Sequence, residues 1–270
     1  MSGPIVFLSD LGLRDEFVGV CHLVIARHAP DAHVIDLSHG IPPHDLQNGA
    51  LVLREGMAFA GPDAVALGIV DPGVGTSRRA IAVATAEGPR LVGPDNGLLS
   101  LAWASLGGAI AAVEITAASI GATRVSPVFH GRDLFAPAAA MLAAGQPLEA
   151  LGSPVPLSEL VTLSVADPEV RPGNVAAEVM DVDRFGNVRL NVRPGDLDVA
   201  GFKFGALVEI ASSETSVRAR RVTHYSEVAS GEYGLLADAW DWASIIRYEA
   251  NAAAGLGLTR GEPVWIASAD

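Results

Sequence analysis

Apolar positions in the first part of the chain come in two rhythms. Short unbroken runs at residues 5–8, 33–37, 64–70, 80–84, 90–92 and 111–115 have the length and composition of buried strands. Between them, residues 17–25, 45–60 and 98–104 repeat their apolar positions every three or four residues, as helices do, and residues 135–144 form a further helical stretch of small side chains. Strands alternating with helices predict a mostly parallel sheet flanked by helices. The rhythm stops in a proline-rich connector with prolines at 147, 154, 156, 168 and 172. Beyond it, short β-type runs at 174–182, 188–192, 207–210, 216–222, 234–237 and 263–266 are separated by glycine, aspartate and serine turns. They predict a smaller antiparallel β-barrel, with one alanine-rich helical insertion over 245–256. The expected division is an N-terminal α/β domain at 1–164, a linker at 165–173 and a C-terminal β-barrel domain at 174–270.

Composition narrows the partners. Of 270 residues, 50% are hydrophobic and 18% charged, so the chain has the means to bury a core in each domain. A net charge of −13 repels a phosphate backbone or an anionic membrane surface, so nucleic acid and membrane are not expected partners. The start of the chain has no basic segment before its short apolar run, which argues against an export signal. With Cys21 as the single cysteine, disulfide frameworks and cysteine-rich zinc sites are excluded, and a cytoplasmic protein is expected. The histidines at 22, 28, 33, 39, 44 and 224 show no paired spacing of metal-ligand type, so no metal is expected.

Polar residues gather where the strands end, the place where open α/β sheets bind ligands. Asp10 follows the first strand and either caps the next helix or accepts hydrogen bonds from a ribose diol. The turn Asp71-Pro72-Gly73-Val74-Gly75-Thr76-Ser77-Arg78-Arg79 lacks the lysine of a phosphate-binding P-loop. It joins a carboxylate to two arginines, which serve either as an internal staple or as a holder for a small polarised oxygen species. His130, in Phe129-His130-Gly131-Arg132-Asp133, lies ahead of a helix whose dipole disfavours its protonated form, so it is either a structural histidine or a proton acceptor. Pro94-Asp95-Asn96-Gly97 reads as a turn. Asp183-Arg184-Phe185-Gly186-Asn187 also has the form of a hairpin turn, yet it combines an acid, an aromatic and an amide suited to an ammonium, an adenine face and an adenine edge.

These clusters, in this order and together with Ser9-Asp10-Leu11-Gly12 and Ile41-Pro42-Pro43, resemble the S-adenosylmethionine hydroxide adenosyltransferase family, which is related to fluorinase and chlorinase enzymes. The resemblance covers nearly the whole chain. It implies an α/β domain followed by a β-barrel, and a homotrimer whose active sites lie between one subunit's N-terminal domain and its neighbour's C-terminal domain. It implies that Asp71, Arg78 and His130 are the catalytic triad, that Asp10 holds the ribose hydroxyls, Asp183 the methionine ammonium and Asn187 the adenine edge, and that Tyr225 stacks on adenine. Phe185 completes the expected binding set. The implied reaction is attack of water or hydroxide on C5′ of S-adenosyl-L-methionine, giving adenosine and L-methionine with no cofactor. Two positions depart from the family pattern: Ala239-Trp240-Asp241-Trp242 replaces a Ser-x-Gly stretch near the methionine carboxylate, and His44 stands where an aromatic packs on the ribose. The alternatives are a halide-using enzyme of the same family, whose relatives carry tyrosines at the positions of Asp71 and His130, a module that binds S-adenosylmethionine or adenosine without turnover, and, least favoured, a nucleotide hydrolase.

Overall fold

The computed structural model describes residues 3–269, which fall into two compact units meeting at Ser164 and Val165. In the first unit, β1 (Ile5–Ser9), β2 (Val34–Ser38), β3 (Val65–Ile69), β4 (Ala80–Thr85), β5 (Arg90–Pro94), β6 (Ala109–Ile115) and β7 (Gly152–Pro154) form one sheet in the order β2-β1-β3-β5-β4-β6-β7. The β2-β1-β3-β5 half is parallel, and the β5-β4-β6-β7 half is antiparallel. Both faces of the central strands β1 and β3 are covered, which explains why they read as unbroken apolar runs rather than alternating ones.

The alternation is nonetheless present in where the side chains go. Ile5 and Phe7 of β1 and Val65, Leu67 and Ile69 of β3 pack into one core with Val18, Cys21 and Ile25 of α1 (Phe17–His28). Val6, Leu8 and Ala66 point to the opposite core, with Leu53 and Met57 of α2 (Leu46–Met57) and Ala102 and Trp103 of α3 (Ser100–Ser105). Among these helices α2 is started by Asp45, whose side chain accepts from the Asn48 amide at 3.0 Å.

The expected helix at 135–144 begins earlier. Residues Gly131–Phe135 form a π-helical turn that runs into α4 (Ala136–Ala143), with His130 as the cap of the combined element. Pro137 has no amide hydrogen, so a regular α-helical ladder cannot pass through that position, and the turn ahead of it is wider.

The second unit is a closed barrel. Its strands are β8 (Glu169–Arg171), β9 (Asn174–Val182), β10 (Val188–Leu190), then, after α5 (Pro194–Val199), β11 (Leu207–Ala211), β12 (Ser216–Arg221), β13 (Tyr233–Ala237), β14 (Ala243–Arg247) and, after α6 (Ala252–Leu256), β15 (Pro263–Ser268). Pairing runs β10-β14-β13-β12-β11-β15-β9, and β9 returns to β10, so seven strands close on themselves while β8 lines the remaining edge of β9. The pairing is antiparallel except between β12 and β13. Every second residue, such as Val175, Val179, Val208, Ile210, Val264 and Ile266, fills the interior.

The expected helix over 245–256 is not one element. Residues 245 and 246 belong to β14, where Ile245 pairs with both Val188 and Leu235, because two consecutive isoleucines fit a strand buried on both sides. Helix forms only at α6, which Asn251 starts by accepting from the Ala254 amide and Gly257 stops with φ 63°. Among the described residues no helix is long and apolar enough to cross a membrane.

Candidate active site

Parallel neighbours deliver their C-terminal ends to one edge of a sheet. β1 and β3 pair from Ile5 with Val65 through Ser9 with Ile69, so Asp10 and Asp71 emerge side by side. Asp10 does not cap α1, whose cap position is Glu16. Its Oδ2 instead accepts the backbone amide of His44 at 2.9 Å, drawing in a residue that holds the left-handed conformation at φ 67°.

Asp71 and Arg78 are the two ends of one turn. Arg78 Nε donates to Asp71 Oδ1 at 2.8 Å, and Arg78 Nη2 donates to Asp71 Oδ2. The same Nη2 lies 2.8 Å from His130 Nδ1, and its Nη1 reaches the Arg79 carbonyl at 3.3 Å. The side chains of Arg78 and Asp71 are only 10% and 6% exposed, so this is a desolvated ion pair rather than a surface one. A staple within the turn accounts for Asp71 with Arg78. It does not account for His130, which comes from 52 residues further along the chain.

A guanidinium only donates, so Nδ1 of His130 is the acceptor and the neutral ring carries its hydrogen on Nε2. Burial first, and then the Arg78 charge, push the His130 pKa below its ordinary value, against the opposing pull of Asp71 and Asp133. The neutral imidazole is therefore the resident form at neutral pH. Because the acid form is disfavoured, the acid limb of kcat/KM against pH is expected to lie below the ordinary histidine pKa of about 6.5. A limb centred above that value would contradict this electrostatic picture.

A cavity of about 290 Å³ opens beside these groups, lined by Asp10, His44, Asp71 and His130 and by the apolar Phe17, Val128 and Phe129 among others. Phe17 and Phe129 meet edge to face at 5.3 Å. Arg78 does not line this cavity, so its charge reaches it through Asp71 and His130. Arg79 turns elsewhere, to Asp95 at 2.8 Å and Glu159 at 2.9 Å. Asp95 also accepts the Val161 amide, and Asn96 donates to the Val70 carbonyl, so 94–97 is a structural clamp. His44 does stand at the cavity wall.

The second unit carries its own polar cluster. Asp183 Oδ1 accepts the amides of Phe185 and Asn187 at 2.8 and 2.9 Å, while Oδ2 accepts Asn187 Nδ2 at 2.8 Å. Asn187 Nδ2 also lies 3.5 Å from the Tyr225 hydroxyl. With its amide nitrogen engaged, Asn187 is left its carbonyl oxygen as an acceptor, the atom an adenine amino group needs. Gly186 turns this loop at φ 85°, and a Cβ there would stand 2.2 Å from the Asn251 side chain.

Two hollows share this wall. One, of about 550 Å³, is lined by Phe185, Asn187, Tyr225 and Tyr248 together with Arg247 and Glu249. Phe185 and Tyr225 are 68% and 46% exposed, two aromatic faces presented to solvent. The other, of about 240 Å³, carries the carboxylates Asp181, Asp183 and Asp238 against the single cation Arg189. Burial, reinforced by Asp183 and Asp238, raises the Tyr225 pKa and keeps its phenol protonated. Ala239 and Trp240 line this hollow too, and its nearest hydroxyl on β14 is that of Ser244.

All eight residues singled out from the sequence thus lie at one of two places: Asp10, Asp71, Arg78 and His130 at the strand ends of the first unit, and Asp183, Phe185, Asn187 and Tyr225 on the barrel. Phe17, Asp238 and Arg189 are site residues that no sequence pattern marks, and Phe129 enters the site only as the neighbour of His130. The charge pairing of Arg189 with Asp238, at 2.6 Å, joins residues 49 apart and has no local signal.

Comparison with known proteins agrees with this division. Residues 5–152 match the model of the SAM hydroxide adenosyltransferase N-terminal domain, and residues 177–265 match that of its C-terminal domain. A Salinispora tropica protein named (R)-S-adenosyl-L-methionine hydrolase is 45% identical over 96% of this chain and 95% of its own. A Thermus thermophilus protein of the same name is 38% identical, covering 97% and 98%. The crystal structure of an uncharacterized conserved protein from Thermotoga maritima superposes with a TM-score of 0.89 at 32% identity, covering 97% and 99%. The chain belongs to the SAM hydroxide adenosyltransferase family.

Proposed function

We propose that this protein hydrolyses S-adenosyl-L-methionine at C5′, releasing adenosine and L-methionine. The observation that carries the reading is the Asp71–Arg78–His130 network, with Asp71 and His130 facing a cavity that also presents Asp10. Water supplies the oxygen. As its bond to C5′ forms, the C5′–S bond breaks, the electron pair leaves on sulfur as the neutral thioether of methionine, and one proton is released. A sulfonium leaves readily, so the work of the protein is to align a weak nucleophile and take its proton. The proton goes to the coupled Asp71 and His130: the Asp71 oxygens keep lone pairs beside their Arg78 bonds, while His130 takes a proton at Nδ1 as Arg78 Nη2 releases it, and Arg78 orients both and stabilises the negative charge that develops. The reaction as written uses no metal or cofactor.

Substrate charge fits the same picture. S-adenosylmethionine carries a sulfonium, an ammonium and one carboxylate, and is drawn to a chain of net charge −13. In this reading Asp10 takes the ribose hydroxyls, Asp183 the ammonium, Asn187 the adenine edge, and Tyr225 with Phe185 the adenine face. Arg189 is the cation lining the acidic hollow and takes the part of the carboxylate partner that residues 239–242 lack. The reacting groups and the adenine and ammonium groups belong to different units, and the proposal joins them in a homotrimer, one subunit's first unit serving its neighbour's second. Cys21 is a buried free thiol, at home in a reducing compartment, and the enzyme is taken to be cytoplasmic.

A halide-using reaction is the second reading, and Asp71 weighs against it: a carboxylate at the cavity wall repels chloride where it attracts a water proton. The experiment is incubation with S-adenosylmethionine in water enriched in heavy oxygen, with and without chloride, and mass analysis of the nucleoside. Adenosine carrying the heavy isotope supports attack by water at C5′. A chlorinated nucleoside moves the assignment to the halide branch, and bound but intact substrate moves it to a binding module.

A further inference from the structure

Three ligand-type side chains converge at the edge of the first unit's sheet, outside the cavity that holds Asp71 and His130. His22 comes from α1, Asp36 from the edge strand β2, and His39 from the residue after that strand ends. Asp36 Oδ1 lies 2.9 Å from His22 Nε2 and 3.0 Å from His39 Nε2, and one ligand atom from each of the three residues falls within 4.8 Å of the others. We propose that His22, Asp36 and His39 form a binding site for a divalent first-row transition-metal ion, with two imidazoles and one carboxylate as its protein ligands.

The ligand chemistry and spacing suit such an ion. Imidazole nitrogen with carboxylate oxygen favours zinc, cobalt, nickel or iron over calcium or magnesium, which prefer all-oxygen shells. Ligand atoms held about 2.0–2.1 Å from a tetrahedral ion stand roughly 3.3 Å apart, so Asp36 Oδ1 needs to draw back by a few tenths of an ångström from each imidazole, while the two imidazoles, within 4.8 Å of each other, close on the ion. His22 and Asp36 are partly exposed and free to make that adjustment, and three protein ligands leave a position for water.

A second observation is independent of the spacing. The His39 side chain is 2% exposed, and its Nε2 lies 3.0 Å from Asp36 Oδ1 without the alignment of a full hydrogen bond. That buried nitrogen is directed at the Asp36 carboxylate rather than at solvent. The arrangement around the ring fixes it in this orientation: Nδ1 lies 2.7 Å from Ser9 Oγ, and the buried Phe7 packs edge-on against it at 4.6 Å while also touching the His22 ring at 5.9 Å. An oxygen partner on the far ring nitrogen is the support that metal-bound histidines characteristically have. The same residue ties the site to the strand end. The His39 carbonyl accepts the Gly12 amide at 2.9 Å, and Ser9 directly precedes Asp10, so an ion held here braces the loop that carries Asp10.

The test uses the full chain without an affinity tag, stripped with a chelator and titrated with cobalt(II), followed by zinc(II) as competitor. One equivalent of cobalt is expected to produce the intense visible absorption of a low-coordinate site, zinc is expected to abolish it, and excess zinc is expected to raise Tm. His22→Gln and Asp36→Asn are each expected to weaken binding by at least about tenfold. Hydrolysis of S-adenosylmethionine by the metal-free protein is expected to persist in both, since neither residue lines the reaction cavity. Having two variants keeps the test decisive if one folds poorly, as judged by circular dichroism. No cobalt spectrum, or one unchanged in both folded variants, overturns the proposal. A fall in Tm of the metal-free variants with no cobalt signal in the parent also overturns it, identifying a cluster held by hydrogen bonds alone.

Discussion

His130→Ala is expected to lower kcat for S-adenosylmethionine hydrolysis by about 10²–10⁴-fold, the range typical of removing a positioned acid–base group. Substrate affinity should change little, because His130 is assigned no ribose, adenine or methionine contact. The site explains why the loss falls on the chemical step. His130 is neutral, it lines the cavity, and Arg78 holds its ring in a fixed direction through Nδ1, the nitrogen that takes a proton when that bond is released. His130 caps the π turn with a helical backbone and makes no side-chain cap hydrogen bond, so alanine removes no capping contact and the variant should keep the fold of the π turn and α4. The measurement is single-turnover product formation set beside equilibrium binding of S-adenosylmethionine. Parallel loss of binding and turnover in a folded variant would show that His130 holds substrate rather than handles the proton. Unchanged turnover would remove it from the mechanism.

Much of this site is legible in the sequence, for a definite physical reason. A strand buried on both faces is nearly all apolar, so the first charged residue after it marks the sheet edge, and Asp10 and Asp71 are those residues. Less was legible wherever the deciding partner is distant in the chain. Arg78 and Arg79 are neighbours of identical type, yet one turns to Asp71 and His130 and the other to Asp95 and Glu159, a choice made by packing that no local pattern encodes. The helix expected over 245–256 failed differently. Its apolar residues fit either period, and tertiary pairing with β10 and β13 claimed Ile245 for a strand, leaving only the alanine-rich end to form α6. The histidines illustrate the limit of spacing as a signal. His22 and His39 sit in separate elements with Asp36 between them in the chain, so their convergence exists only once α1 has packed beside the edge strand.

The ion pair beneath the reaction is also expected to be a structural liability when only one half is removed. In Arg78→Met, Asp71 remains as a carboxylate that is 6% exposed and has lost both guanidinium hydrogen bonds. Leaving one member of a buried pair uncompensated typically costs about 3–5 kcal/mol. At roughly 2–4 °C per kcal/mol for a domain of this size, the unfolding transition of the first unit should fall by about 6–20 °C. Methionine keeps much of the apolar volume that Arg78 lays against the Phe135 ring, where the guanidinium carbon lies 5.1 Å from the centroid, so little of the loss should come from packing. Adding Asp71→Asn removes the stranded charge. The double variant is therefore expected to recover most of the lost stability, since a neutral replacement of both partners escapes the desolvation cost that the pair itself bears. Activity should not recover with it, because both the cavity carboxylate and the charge that orients His130 are then gone. Thermal unfolding of the parent, both single variants and the double variant, beside turnover of each, completes the cycle. A single variant that loses no more than about 1 kcal/mol would place the pair among exposed ones and deny it this role. A double variant that regains activity along with stability would show that Asp71 and Arg78 serve the fold and leave the chemistry to His130 alone.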